Sequence, residues 1–219
     1  IVKGLYREGQ VWVHCSGALE ADVLKAGCRD LPFKCLSLHP LQAFADVPTA
    51  LELMTGTHFG IEGDVPEFGE QLVRDLGGVP HRVEGKHKAL YHAGAVTASN
   101  YLVTLASLAV ELLTQAGMNR EEALTSFLPL MQGTLANLER TGLPDALTGP
   151  IARGDVQVVK RHLEVMPEHL RRIYGILGER TLALAEEKWK RQNREYPPDA
   201  RQAMVQLLAI DPRDSKEKG

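Results

Sequence analysis

The amino-acid pattern changes at Gly85, and that change restricts the chain to two kinds of layer. Before Gly85, short β-prone runs alternate with turn signals. Val11-Trp12-Val13-His14-Cys15 reads as a strand that must turn at Ser16-Gly17, and Ala18 to Ala26 reads as a short helix stopped by Gly27. Phe33 to Leu38 reads as a second strand halted by His39-Pro40, and His58-Phe59-Gly60-Ile61-Glu62 as a third, weaker one. Asp64-Val65-Pro66-Glu67 has the pattern of a capping box, an acceptor side chain with a glutamate three places on. The helix it opens is expected to end at Gly77-Gly78, where a left-handed C-cap favours glycine. Val79-Pro80-His81-Arg82-Val83 is expected at a sheet edge, because Pro80 has no N–H for a ladder. Strands alternating with short helices predict an α/β layer.

After Gly85 no strand signal recurs. Lys86 to Ala116 reads as one long helix closed by Gly117, nearly apolar all round from Ala93 to Leu113. Such a helix has to be covered on every side, and a homodimer through the 86–116 helix is the expectation. Asn119-Arg120-Glu121-Glu122 is a second capping box, opening a helix to about Arg140. A loop from Thr141 to Gly154 holds three glycines and two prolines. Asp155 is expected to cap the next helix, Pro167 to begin another reaching about Lys190, and Pro197-Pro198 to precede a last one. The predicted fold class is therefore α/β followed by all-α. Its divisions are 1–85, a helical substrate and dimerisation domain at 86–210, and a charged tail at 211–219.

Charge and composition exclude several classes. With a net charge of −3 the 219 residues lack the basic surplus of a general nucleic-acid binder. At 44% hydrophobic they have enough apolar side chains for a core. The longest apolar stretch runs from Tyr101 to Val110 and meets Glu111, too short to span a bilayer, so no membrane partner is expected. No positively charged leader precedes an apolar core, and a cytoplasmic setting follows. Cys15, Cys28 and Cys35 are odd in number and form no C-x-x-C, so neither a disulfide framework nor a metal site is expected. The chain opens at Ile1 with no initiator Met, which suggests a fragment or a processed product. H-E-x-x-H, G-x-S-x-G, the P-loop and G-x-G are all absent from the sequence.

Polar residues at strand ends are the candidates for chemistry, since ligands of open α/β sheets bind beyond the carboxyl ends of the strands. His14, Ser16 and Gly17 end the first strand, and His39, Pro40 and Gln42 follow the second. On the long helix, His92 and Ser99 lie seven apart on one face with Asn100 beside them. Those three either tie the helix to its neighbours or line a cleft. In the later loop, Thr148 and Arg153 suit an anionic substrate, arginine as a bidentate fork for a carboxylate.

Four strings occur in order over roughly residues 11–174. They are His14-Cys15-Ser16-Gly17, Ser37-Leu38-His39-Pro40-Leu41-Gln42, Tyr91-His92-Ala93-Gly94-Ala95-Val96 with Ala98-Ser99-Asn100-Tyr101, and Leu147-Thr148-Gly149-Pro150 with Arg153-Gly154-Asp155. Together they resemble the NADP-dependent oxidoreductases that couple a Rossmann-like domain to a C-terminal helical domain of unknown function. More distantly they resemble pyrroline-5-carboxylate reductase, 6-phosphogluconate dehydrogenase and ketopantoate reductase.

The resemblance implies a partial Rossmann-like sheet, its C-terminal strands only, with a helical domain like that of 6-phosphogluconate dehydrogenase. It places roughly the first four strands and the Gly-rich phosphate loop upstream of Ile1, so this chain is expected to hold NADP weakly or not at all. It implies reduction of a small carbonyl or imine compound. His14, Ser16, Gly17, His39 and Pro40 would lie against the cofactor, and Gln42, Thr148 and Arg153 against the substrate. The hydroxyacid-dehydrogenase relatives place a catalytic lysine shortly before an asparagine on the long helix. Here Val96, Thr97, Ala98 and Ser99 precede Asn100, and Lys88 is three turns away and is not taken as a substitute. Proton transfer then falls to His92 first and His39 second, with Ser99 and Asn100 orienting the substrate. The alternative is a non-catalytic dinucleotide-sensing or dimeric scaffold protein that retains the fold.

Overall fold

Strand β2, Lys34–Pro40, organises the N-terminal part of the computed structural model, which describes residues 7–26, 31–44 and 46–209. Its side chains alternate between the two faces of the sheet. Leu36 and Leu38 point to one face, where they join Phe59 and Ile61 of β3 (His58–Gly63) and Val73 of α2 (Pro66–Asp75) in a buried cluster. Cys35 belongs to a second cluster with Ala21 and Phe33, and Ser37 is fully buried. Both faces of β2 are thus covered, as a near-continuous buried run requires.

The sheet has the order β1-β2-β3-β4, with β1 at Val11–His14 and β4 at Val79–Arg82. β1 pairs parallel with β2, β2 antiparallel with β3, and β3 parallel with β4. The carboxyl ends of β1 and β2 therefore meet the amino end of β3, and His39 lies opposite Gly60. β4 is an edge strand, as Pro80 predicts.

Several local expectations are corrected. The helix expected over Ala18 to Ala26 is a 3-10 turn, Ala21–Lys25, confined between extended backbone at Glu20 and Ala26. Gly27 and Cys28 lie outside the described residues. β2 continues through His39 and Pro40 instead of halting before them. A helix that the sequence reading passes over, α1 (Val47–Leu53), starts where the Asp46 carboxylate accepts from the Thr49 N–H at 2.9 Å. The Asp64 capping box does not form, because α2 begins after Val65 with no side-chain cap. Instead the Asp64 carboxylate accepts from the Cys35 N–H at 2.9 Å and pairs with Lys25 at 3.0 Å. Burial works to raise its pKa, and those two partners outweigh it, leaving the carboxyl below its usual range. The far end of α2 is as expected, with Gly77 left-handed at φ 76°.

The long helical stretch is interrupted. A 3-10 turn at Gly85–His87 leads into α3 (Lys88–Ala98), Ser99 departs from helical angles at φ −108° and ψ −69°, and α4 (Asn100–Gln115) follows. Its apolar surface is not buried within the chain: Lys88 is the buried residue of α3, Val110 that of α4, while Leu90 is 76% and Val103 71% exposed. Taken together, Gly85–Gln115 is a 31-residue stretch containing an 18-residue window of mean hydropathy 1.4, long and apolar enough by length and composition to cross a membrane. The ten residues Tyr101 to Val110 understate this, because the apolar window is 18 residues long.

Two compact units divide the chain at Leu105 and Ala106, later than the change of pattern at Gly85. α3 and the start of α4 thereby belong with the sheet. In the second unit, α5 (Arg120–Thr141) is capped by Asn119, which accepts from the Glu122 N–H at 2.9 Å. The loop after it includes a single turn, α6 (Pro150–Arg153), and Asp155 caps α7 (Val156–Val165) by accepting from the Val158 N–H. α8 (Glu168–Arg191) and α9 (Pro198–Leu208) enclose a core of Ile151, Val159, Leu182, Ala185, Tyr196, Met204 and Leu208. The 211–219 tail lies outside the described residues.

Candidate functional site

The carboxyl ends of β1 and β2 and the first turns of α3 meet within the N-terminal unit, and two glycines make the approach possible. A Cβ on Gly17 would lie 2.5 Å from His92 Cδ2 and 2.7 Å from His39 Nε2; one on Gly60 would lie 2.4 Å from Tyr91 Oη. Gly17 is thus the floor on which both imidazoles rest, and Gly60 leaves room for the Tyr91 ring beside His39. The His39 and His92 rings stand edge to face with centroids 5.7 Å apart, and His39 and Tyr91 likewise at 5.6 Å.

The hydrogen bonds orient His39. Its Nδ1 is 3.2 Å from Tyr91 Oη, and that hydroxyl donates to the His39 carbonyl at 3.4 Å. Gly60 supplies a further backbone hydrogen bond to Tyr91. The phenol therefore sits between the His39 ring nitrogen and the His39 carbonyl, and Nε2 lies beside Gly17. Burial, then the neighbouring His92 and Lys88, hold the His39 pKa below its ordinary value. Burial raises that of Tyr91, against the Gly60 hydrogen bond.

His39 and His92 border a cavity of about 920 Å³ that is also lined by Pro40, Gln42, Tyr91, Ser99 and Asn100. Its size is in the range of small-molecule sites. The break at Ser99 places Ser99 and Asn100 in this wall, and among the described residues neither side chain has a hydrogen-bond partner. All four residues expected to be catalytic, His92, His39, Ser99 and Asn100, are therefore brought to one cavity, together with Pro40 and Gln42.

The other candidates lie elsewhere. His14 is occupied by its own turn: Nδ1 accepts from the Ser16 N–H at 3.1 Å, and Nε2 is 3.1 Å from the Glu20 carbonyl. Ser16 and Gly17 back the imidazoles without lining the cavity. Thr148 and Arg153 border a separate cavity of about 490 Å³ in the C-terminal unit, with Lys188, Trp189 and Arg194. Arg194 sits over the Trp189 ring at 4.1 Å. Lys188 donates to the carbonyls of Asp145 and Leu147, both at 2.8 Å, and so holds that loop.

Lys88 is the residue that sequence reasoning set aside. It is 2% exposed, and its ammonium donates to Ser37 Oγ and to the Ser16 carbonyl. The available signal was spacing. Lys88 precedes His92 by four and Tyr91 by three, which puts all three on one helical face, and Ser37 shares a strand face with His39.

Residues 57–181 match a family described as a domain of unknown function, DUF2520. No curated protein matches the chain. Among solved structures, protein TM1727 from Thermotoga maritima is similar with TM-score 0.66 and 30% identity, covering 88% of this chain and 74% of that one. The "putative NADP oxidoreductase BF3122" from Bacteroides fragilis has TM-score 0.62 and 22% identity over 81% of this chain and 66% of its own. The Plasmodium falciparum pyrroline carboxylate reductase with NADP bound has TM-score 0.50 and 14% identity over 91% and 72%. The last two likenesses concern the fold, a Rossmann-like α/β layer followed by helices. On the family match over more than half of the chain, from β3 through most of the long helices, the chain belongs to the DUF2520 family.

Proposed function

We propose that the chain is the working part of a nicotinamide-dependent reductase of a small carbonyl or imine compound, with the His39–His92 cavity as its reaction site. The observation that carries this reading is the meeting of two imidazoles over Gly17, at the strand ends of a Rossmann-like sheet. They border a cavity that is also lined by Ser99 and Asn100, whose side chains have no hydrogen-bond partner among the described residues. The names of the two fold relatives, one with NADP bound, agree with it.

The residues fit one end of that cofactor. In this reading His39-Pro40 would flank a nicotinamide ring at the strand ends, while Ser16-Gly17 support it from behind the imidazoles. The pyrophosphate finds no counterpart, since the sequence has no G-x-G and the described residues form no Gly-rich phosphate loop. NADP binding by this chain alone is therefore weak in our reading. When bound, the cofactor supplies the hydride.

His92 would give a proton to the carbonyl oxygen or imine nitrogen of a substrate held in this cavity. His39, whose pKa burial lowers, carries a proton less readily than an ordinary imidazole and is assigned the second place. Ser99, Asn100 and Gln42 orient the substrate. In its own cavity of the C-terminal unit, Arg153 has no ion-pair partner among the described residues, and with Thr148 it suits an anionic group such as a carboxylate.

The exposed apolar face of α3 and α4 is assigned to a second copy of this chain. His92, Ser99 and Asn100 interrupt the helix, and lipid would satisfy none of them. The reading includes a cytoplasmic setting, which suits the free thiols of Cys15 and Cys35.

The test is NADPH oxidation across a panel of keto acids and cyclic imines, with His92→Ala alongside. The variant should lose turnover by roughly 100-fold or more while keeping cofactor affinity. Unchanged turnover removes His92 from the mechanism. Saturable NADPH binding without turnover of any panel member turns the reading toward a non-catalytic, dinucleotide-sensing scaffold.

A further inference from the structure

A lysine buried in a sheet-helix layer is costly, and a methionine would fill the same volume without the loss of hydration. Lys88 nonetheless opens α3 with its ammonium inside the protein. Its acceptors are Ser37 Oγ and the Ser16 carbonyl, the latter at 3.2 Å, and the Ser37 hydroxyl itself donates to that carbonyl at 3.2 Å. One side chain from the helix thus fastens the ends of two neighbouring strands. Ser16 precedes Gly17, on which His39 and His92 rest, and Ser37 lies two residues before His39 on the same face. Anything that loosens this fastening moves the floor under both rings.

The charges around the ammonium are few. Burial lowers the Lys88 pKa, while Glu62 and Glu20 favour its charged form. Glu62 already accepts from the Ala21 N–H at 2.6 Å. His39, with His92 and Tyr91 around it, feels the ammonium as a like charge if it takes up a proton.

We propose that Lys88 is the positioning residue of this site: it locks Ser16 and Ser37 at the strand ends beneath His39 and His92, and its ammonium stands as a like charge toward any proton on His39. The proposal rests on reading the cavity as the reaction site, but its test needs no turnover, so absence of reductase activity leaves it decidable.

The experiment is a histidine NMR titration of the full chain, wild type against Lys88→Gln and Lys88→Met. Glutamine keeps hydrogen-bond donors and loses the charge; methionine loses both. The His39 midpoint should rise by roughly half a pH unit in the glutamine variant. In the methionine variant the His92 ring resonances should shift as well, because Gly17 is released. A His39 midpoint unchanged in a folded variant overturns the electrostatic part, and unchanged His92 resonances in folded Lys88→Met overturn the positioning part. Should both variants fail to fold, the wild type still decides. A Lys88 amine that is protonated at pH 7, with slowly exchanging protons, supports the proposal, and a neutral one overturns it. If turnover is found, Lys88→Gln should lower kcat with little change in KM.

Discussion

Replacing Gly17 by alanine isolates the close packing on which the site depends. The backbone there is not left-handed, so alanine is conformationally permitted, and the loss of unfolded-state freedom should stabilise by about 0.4–1 kcal/mol. Against that stands the added methyl group, 2.5 Å from His92 Cδ2, 2.7 Å from His39 Nε2 and 2.8 Å from His39 Cε1. His39 cannot swing aside freely, because Tyr91 holds its Nδ1. Overpacking of this kind costs about 1–3 kcal/mol. The net expectation is a loss of about 1–2 kcal/mol, or roughly 3–6 °C in Tm for a chain of this size. Thermal unfolding followed by circular dichroism measures it. Gly133→Ala is the control, since it lies within α5 with nothing within 4 Å of the added carbon. It should gain about 1 kcal/mol. A Gly17→Ala protein as stable as wild type, or more stable, would refute the argument that the two imidazoles are seated on that glycine.

Other expectations concern pH and association. His39 has a depressed pKa in the fold, so its contribution to stability is full above the ordinary imidazole value of about 6.5 and is lost as pH falls through the lower folded value. Urea midpoints at pH 7.5 and 5.5 should fall further for wild type than for His39→Gln, and equal falls would contradict the assignment. For the helix face, Val103→Asp adds a charge at a residue 71% exposed in the single chain. Sedimentation velocity should show wild type as a dimer and the variant shifted toward monomer. A wild-type monomer at micromolar concentration would remove the dimer.

The strands and the later helices were legible because their signals are local. Alternation and turn residues locate β1 to β4, and Asn119 and Asp155 announce their helices by capping chemistry that depends on three neighbouring residues. Asp64 shows the limit of that logic. The same pattern of residues was diverted to the Cys35 N–H, a partner 29 positions away that no window around Asp64 contains. The break at Ser99 carries no glycine or proline at the point of departure, so periodicity ran straight through it. For the site, parity on β2 and helical spacing on α3 were enough to collect His39, His92, Ser99 and Asn100. Lys88 escaped because it was compared with a lysine expected near Asn100, whereas its role comes from acceptors on β1 and β2 that only the folded sheet supplies.

The reach of Lys88 also bears on how the molecule folds. Its two anchors are separated from it by 72 and 51 residues, so docking α3 closes two long stretches of chain at once. Closure of such distant contacts is slow, and a desolvated ammonium gains nothing until both strand ends are already in register. The sheet must therefore be assembled before α3 can seat, which makes the His39–His92 cavity a late event in folding. By the same reasoning it is an early one in opening, and amide exchange should release the start of α3 ahead of β2 and β3.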